Sequence, residues 1–238
     1  DAARDRAGSP ATGARAGGLP PAALVTDMNE PLGSCAGATL ETRHAIDMLT
    51  GAQTDARFAE VALALAAEML TLGRLAPDHD AARGALAAAL DRGAGAEKFA
   101  QMAAALGGPR GWTAAAGRQP PRAPVTLAVA PAQPGRVLSC DARAVGLAVV
   151  GLGGGRTRPQ DSVDPRVGFE RLAGLGAHVG PEHPLGVVHA ADEASAERAA
   201  AALRAAYVVG EGAPPDRGPV RERRAAPQTA PDGRGGVE

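Results

Sequence analysis

From residue 39 to residue 106, large apolar side chains return every three or four positions. Glycine or proline cuts the pattern at Gly51, Gly73, Pro77 and Gly107. Beyond residue 121 the spacing gives way to short apolar runs separated by turns. The first pattern belongs to helices with one apolar face, the second to strands mixed with helices. A chain patterned this way has a mostly helical first half and a mixed second half. No internal repeat is present.

The elements follow from local signals. Ala22–Thr26 reads as a short buried strand, ending in Asp27-Met28-Asn29 and a turn region at Pro31, Gly33 and Gly37. A helix is expected from Thr39 to Thr50, with Leu40, Met48 and Leu49 inward and Gly51 as its stop. The strongest helix carries Phe58, Val61, Leu65, Met69 and Leu72 on one face and ends at Gly73. Asp78 caps a third helix, with Leu86 and Leu90 on one face. Ala96–Leu106 is a fourth, carrying Phe99, Met102 and Leu106. After a linker at Gln119-Pro120-Pro121, Val125–Ala130 and Arg136–Cys140 read as strands joined by a turn at Ala132–Gly135. Asp141 caps an apolar helix over Ala142–Gly151. Residues 153–165 form a loop, and Val167–Leu175 and Leu185–Ala190 are extended. Glu193–Val208 closes as an Ala-rich helix with Leu203 and Tyr207 inward.

The expected division is therefore 1–21 as a poorly ordered segment, 22–118 as a mostly helical unit, 119–210 as an α+β unit and 211–238 as a tail with a short strand at 219–223. Both end segments are Gly-, Pro- and Arg-rich and have too little apolar surface to offset ordering entropy.

Composition excludes several functions. Aromatics make up 2% of the 238 residues, too few for base-stacking platforms or aromatic cages. A net charge of −1 points to neither a nucleic-acid nor an anionic-membrane surface. No apolar run reaches the length of a membrane span. Lys98 is the sole lysine, so any chemistry needing an amine must use it. Cys35 and Cys140 form neither a CxxC pair nor a zinc spacing, and a reduced, cytoplasmic setting is the default.

The visible motifs read first as structure. Gly153-Gly154-Gly155-Arg156 follows a helix and lacks the Lys-Ser/Thr of a phosphate loop, so it reads as a helix-ending turn. The five histidines form no HExxH or HxH pattern and read as surface or capping residues. Cys140 reads as a buried structural thiol. Asp161, Asp164 and Glu170 read as a solvated acidic loop.

Two blocks go further. Val25-Thr26-Asp27-Met28-Asn29-Glu30-Pro31-Leu32-Gly33, then Gly37, then Leu40-Glu41-Thr42-Arg43 and Asp47–Gly51, resembles the thymidine phosphorylase (pyrimidine-nucleoside phosphorylase) family. Asp141–Val150 with Gly153–Arg156, Asp161, Asp164, Val167-Gly168, Leu175-Gly176, Pro184-Leu185 and Val188-His189-Ala190 looks like the C-terminal domain of the same enzymes. The resemblance covers about residues 20–210. The TDMN form and the GGGR loop look more like the thymidine branch than the broader pyrimidine branch or the AMP phosphorylases.

The resemblance implies an α/β fragment: the helical later part of the large α/β phosphorylase domain, followed by a C-terminal α+β domain. It implies pentosyl transfer, in which phosphate attacks C1′ of thymidine to give thymine and 2-deoxyribose 1-phosphate. The family's phosphate loop, base-gripping Arg, Ser and Lys, and dimer helices lie in its N-terminal half. This chain is therefore expected to hold no catalytic or substrate-binding residue, to be inactive alone and not to form the family homodimer. Thymidine and phosphate are ligands of the complete enzyme. No organic cofactor is expected. Part of a monovalent-cation site, for potassium, falls at Leu32, Cys35 and His44, where the family uses two backbone carbonyls and a glutamate. Here His44 replaces the glutamate and Ala38 replaces an asparagine. The other reading is a non-catalytic protein-interaction module. A lipoyl or biotinyl carrier is excluded, because residues 120–238 contain no lysine to modify.

Overall fold

In the computed structural model, residues 13, 14, 17, 21–108, 122–214 and 218–224 are described. The expected linker at Gln119-Pro120-Pro121 lies outside them, as does most of the 1–21 segment. The described part is mixed helix and sheet. It runs β1 (Ala23–Thr26), β2 (Cys35–Ala36), α1 (Ala38–Thr50), α2 (Ala56–Leu72), α3 (His79–Asp91) and α4 (Ala94–Ala105). Then come β3 (Val125–Val129), β4 (Gly135–Cys140), α5 (Ala142–Val149), β5 (Gly168–Glu170) and β6 (His178–Val179). It ends with β7 (Gly186–Ala190), α6 (Glu193–Ala206), β8 (Tyr207–Gly210) and β9 (Val220–Arg224).

Aspartates start four of the helices. Asp55, Asp78, Asp141 and Asp192 each accept a hydrogen bond from the backbone N–H three residues on, which satisfies one orphan donor of the first turn. Asp192 adds a reciprocal bond with Ser195. A single π-helical turn, Val150–Gly154, ends α5.

Strands β2-β5-β7-β3 form one antiparallel sheet and β6-β4-β8 a second. Helix α6 lies against β3 and β7, and α5 packs on α6. The main core fills this space. It runs from Val129 to Tyr207 and includes Phe169, Leu185, Val188 and Leu203. β3 and β4 are the two strands the sequence suggests, with a short turn between them, and they go to different sheets. β7 is buried along all five residues, and its neighbours β5 and β3 carry the sheet outward.

Two connections tie the helical part to this core. β2 pairs with β5, although the two lie more than 130 residues apart in sequence. The crossing is so close that a Cβ on Gly37 would stand 2.5 Å from the Val167 carbonyl oxygen, and one on Gly168 would stand 2.1 Å from that of Ala36. Both glycines also have φ in the region L side chains avoid, +133° and +148°. The second connection is β9, which returns to pair antiparallel with β1.

Three expectations are corrected. β1 is half-buried, because it sits in a two-stranded ribbon with β9 rather than inside a sheet. Tyr207 is buried as expected, but it opens strand β8 instead of ending a helix. The periodic face of α2 is largely uncovered: Leu65 is 48%, Met69 73% and Leu72 38% exposed, while Val61, Ala67 and Glu68 are buried. Leu106 of the fourth helix is exposed as well. Among the described residues no helix is long and apolar enough to cross a membrane.

Candidate functional site

The segment after β1 is held almost entirely by its own polar groups. Asp27 accepts from Asn29 through both the backbone N–H (2.9 Å) and the side-chain amide (3.0 Å), and it pairs with Arg221 of β9. Burial alone would raise the Asp27 carboxyl. The hydrogen bonds from Asn29 and Arg221 outweigh it and hold the group below its ordinary value. Glu30 accepts from the Leu175 N–H at 2.7 Å and pairs with Arg57 at 3.0 Å. Arg57 also donates to the Asp27 carbonyl. The TDMN block is thus a junction joining β1, α2, β9 and the 172–175 loop.

A cleft of about 420 Å³ opens beside it, lined by Glu30, Leu32, Ser34, Asp55, Arg57, Leu172 and Leu175. On the other side of the 31–33 turn lies a second cavity of about 230 Å³, lined by Leu32, Cys35, Glu41, His44, Phe58 and Val145. All three positions singled out for a cation, Leu32, Cys35 and His44, therefore border one cavity. The ring of His44 is 7% exposed and meets Phe58 edge-on, with centroids 5.3 Å apart. Its Nε2 faces Asp55 Oδ2 at 3.3 Å, off the line of a hydrogen bond. The same Asp55 oxygen accepts from the Ser34 N–H at 2.9 Å, and the other accepts from the Phe58 N–H at 3.1 Å. Glu41, three residues before His44, borders the same cavity and accepts from the Gly37 N–H at 3.0 Å. Among the described residues no three His, Cys, Asp or Glu side chains are gathered as metal ligands.

Neither thiol is poised as a nucleophile. Burial pushes the Cys35 thiol up to about 12, with the Glu41, Asp55 and Glu170 charges adding to it. Burial likewise pushes Cys140 up to about 11. Tyr207, whose hydroxyl donates to the Ala173 carbonyl at 3.0 Å, is raised by the same burial.

The glycine-rich loop is structural. The Asp164 N–H donates to the Gly153 carbonyl, and Asp161 gathers the Thr157 hydroxyl and the N–H groups of Thr157 and Arg158. Asp164 pairs with Arg166 at 2.8 Å. Glu170 leaves this acidic group. It sits on β5 with an oxygen 3.1 Å from His189 Nε2. Not all histidines are surface residues: His44 and His189 are buried, each against a carboxylate. Neither pair is visible in the sequence, because the two partners belong to different elements. Lys98 lies on α4 and bonds Gln101, away from both cavities.

Residues 136–210 match the family described as Pyrimidine nucleoside phosphorylase C-terminal domain. Over 194 residues, 82% of this chain, the sequence is 50% identical to a thymidine phosphorylase of Burkholderia cenocepacia, of which those residues make up 44%. A thymidine phosphorylase of Mesorhizobium japonicum is 46% identical over 83% of the chain and 45% of its own length. In these thymidine phosphorylases the stretch that this chain resembles is the C-terminal part. It spans less than half the length of the curated relatives it matches. The strongest motif blocks fall where the fold needs them: Gly37 and Val167-Gly168 at the β2–β5 crossing, Asp27 and Asn29 at the junction with β9, and Asp141 at the start of α5.

Proposed function

We propose that this chain is the C-terminal portion of a thymidine phosphorylase and has no phosphorolysis activity alone. Its role is to complete the large α/β domain and carry the C-terminal domain. In the whole enzyme the C1′–N1 bond of thymidine breaks as a phosphate oxygen bonds to C1′, and the departing thymine keeps the electron pair and takes up a proton. The groups that would hold phosphate and grip the base belong, by the resemblance, to the other half. What supports the reading is identity near 50% along four-fifths of the chain, joined to one observation. β1 pairs with β9 on one side, and Leu65, Met69 and Leu72 of α2 stand exposed. A helix with an apolar stripe and a strand in a two-stranded ribbon are parts of a larger layer.

The test is complementation. The N-terminal portion of a close relative is fused in frame before Gly17-Gly18-Leu19, and thymine release from thymidine and phosphate is followed spectrophotometrically. The chain alone should give no turnover above blank, and the fusion should be active. Turnover by the purified chain alone would refute the reading. A fusion that folds as a dimer yet stays inactive would favour the second reading, a non-catalytic protein-interaction module derived from the phosphorylase C-terminal domain. Activity confined to AMP would move the chain to another branch.

A further inference from the structure

We infer that the His44 side chain, packed against Phe58 and Gly33 and facing Asp55, itself does the bracing a potassium ion would do at the 31–36 turn, and that this corner of the fold works without a cation. The inference takes the place of the ion from the family correspondence and is otherwise carried by the geometry.

The residues present do not fit a hard monovalent ion, which seeks oxygen donors. Position 44 offers an imidazole nitrogen. Cys35 offers a protonated thiol besides its carbonyl. Glu41, the nearest carboxylate on the same helix, accepts from the Gly37 N–H through one of its oxygens. The ring itself lies against the turn: a Cβ built on Gly33 would stand 3.3 Å from His44 Nε2 and 3.5 Å from Cδ2. Gly33 lies between the two carbonyl-bearing residues, Leu32 and Cys35, so the imidazole packs against the turn that carries both carbonyls.

Protein groups alone bring the turn and the two helices together here, by two hydrogen bonds to Asp55 and the packing of the His44 ring. Asp55 joins three elements: it caps α2 through the Phe58 N–H, holds the turn through the Ser34 N–H, and faces His44 of α1. An ion bridging carbonyls and a carboxylate would join the same turn to the same helix. The imidazole joins them through a carboxylate supplied by the next helix.

Potassium titration of the purified chain's melting temperature, against lithium at equal ionic strength, is the first test. The wild type should show no saturable rise specific to potassium, since only a ligand that prefers the native state shifts the transition. Equilibrium dialysis with thallous ion, a potassium surrogate, should find no bound ion. His44→Glu places an oxygen donor beside Asp55 and should gain a saturable, potassium-specific rise of about 2–4 °C. His44→Gln should melt lower than the wild type in every salt, with no recovery in potassium. A saturable potassium response or thallous binding by the wild type overturns the inference, and so does a folded His44→Glu protein indifferent to potassium. Should His44→Glu fail to fold, the wild-type titration and dialysis still decide. Because none of these readouts involves phosphorolysis, they fail or succeed independently of the complementation assay.

Discussion

Residues 125–210 and residues 23–108 differ in what they do with their apolar side chains. In the later region Phe169, Leu185, Val188 and Leu203 are fully enclosed between two sheets and two helices. In the earlier region the buried apolar residues are Leu40, Val61 and small alanines, while Leu65, Met69, Leu75 and Leu106 face outward. Hydrophobic burial scales with area removed from water, so the later region has a core of its own and the earlier one has half of one. What holds the earlier region in place is largely polar: Asp27 with Arg221, Glu68 with Arg223 and His79, Glu30 with Arg57 and the Leu175 N–H, and Asp55 with His44.

The largest effect that could break this contrast comes from paired truncations. Phe169→Ala should destabilise by about 3–5 kcal/mol, through lost transfer energy and a cavity in a closed core. Leu65→Ala on α2 should change stability by less than about 0.5 kcal/mol, as exposed substitutions do. Chemical denaturation followed by far-ultraviolet circular dichroism measures both. A cost for Leu65→Ala approaching that of Phe169→Ala would mean the α2 face is covered in solution.

A smaller effect tests the polar tethers. Asp27 and Glu68 have ordinary values of 3.8 and 4.5. For both, burial raises the carboxyl but hydrogen bonds from Arg221 and Asn29, or from Arg223 and His79, hold it lower. A folded pKa below the unfolded one contributes stability that is whole above the unfolded value and is lost as pH falls through the folded value. The β1–β9 ribbon should therefore loosen as pH drops below about 4.5, ahead of the later core. Arg221→Ala with Arg223→Ala should mimic this at neutral pH, costing about 1–3 kcal/mol by leaving two buried carboxylates short of partners. Amide exchange at residues 23–26 and 220–224 is the readout. Loss of protection there only together with β7 would show one cooperative unit.

The sequence was informative where a signal is local and less so where it is distant. Asp78 and Asp141 announce their helices because cap and first turn are adjacent. Asp55 does not announce its helix, because the apolar period starts at Phe58, inside the helix it caps. β8 was hidden because no glycine or proline breaks the run from Ala206 into Tyr207-Val208-Val209. The apolar period of α2 is plain in the sequence, but a period says that a face is apolar and not what covers it. At the candidate site, the spacing within the TDMN block was legible. The His44–Asp55 contact was not, because it depends on how α1 and α2 meet at a corner.

The smallest effect, and the one that sharpens the comparison most, is thiol labelling. With Cys35 raised to about 12 and Cys140 to about 11, chiefly by burial, neither thiol carries appreciable thiolate at pH 8, so the half-buried Cys35 reacts slowly in the folded chain and the buried Cys140 must wait for an opening. Cys140 sits inside the later core at the β4–β8 pairing. Cys35 lies on β2, at the seam where the earlier region meets the sheet. If the earlier region opens by itself, Cys35 becomes reactive in states where Cys140 is still enclosed. A difference of about 1.4 kcal/mol in opening free energy appears as a tenfold ratio of labelling rates when reclosing is fast. We expect Cys35 to be labelled at least about tenfold faster than Cys140 in the folded chain, and at the same rate in denaturant. Equal rates in the folded chain would mean that β2 and the Gly37–Gly168 crossing lock both regions into one unit. In a fusion carrying the N-terminal portion of a relative, the ratio should fall toward one, because the covered α2 face would then stabilise the earlier region.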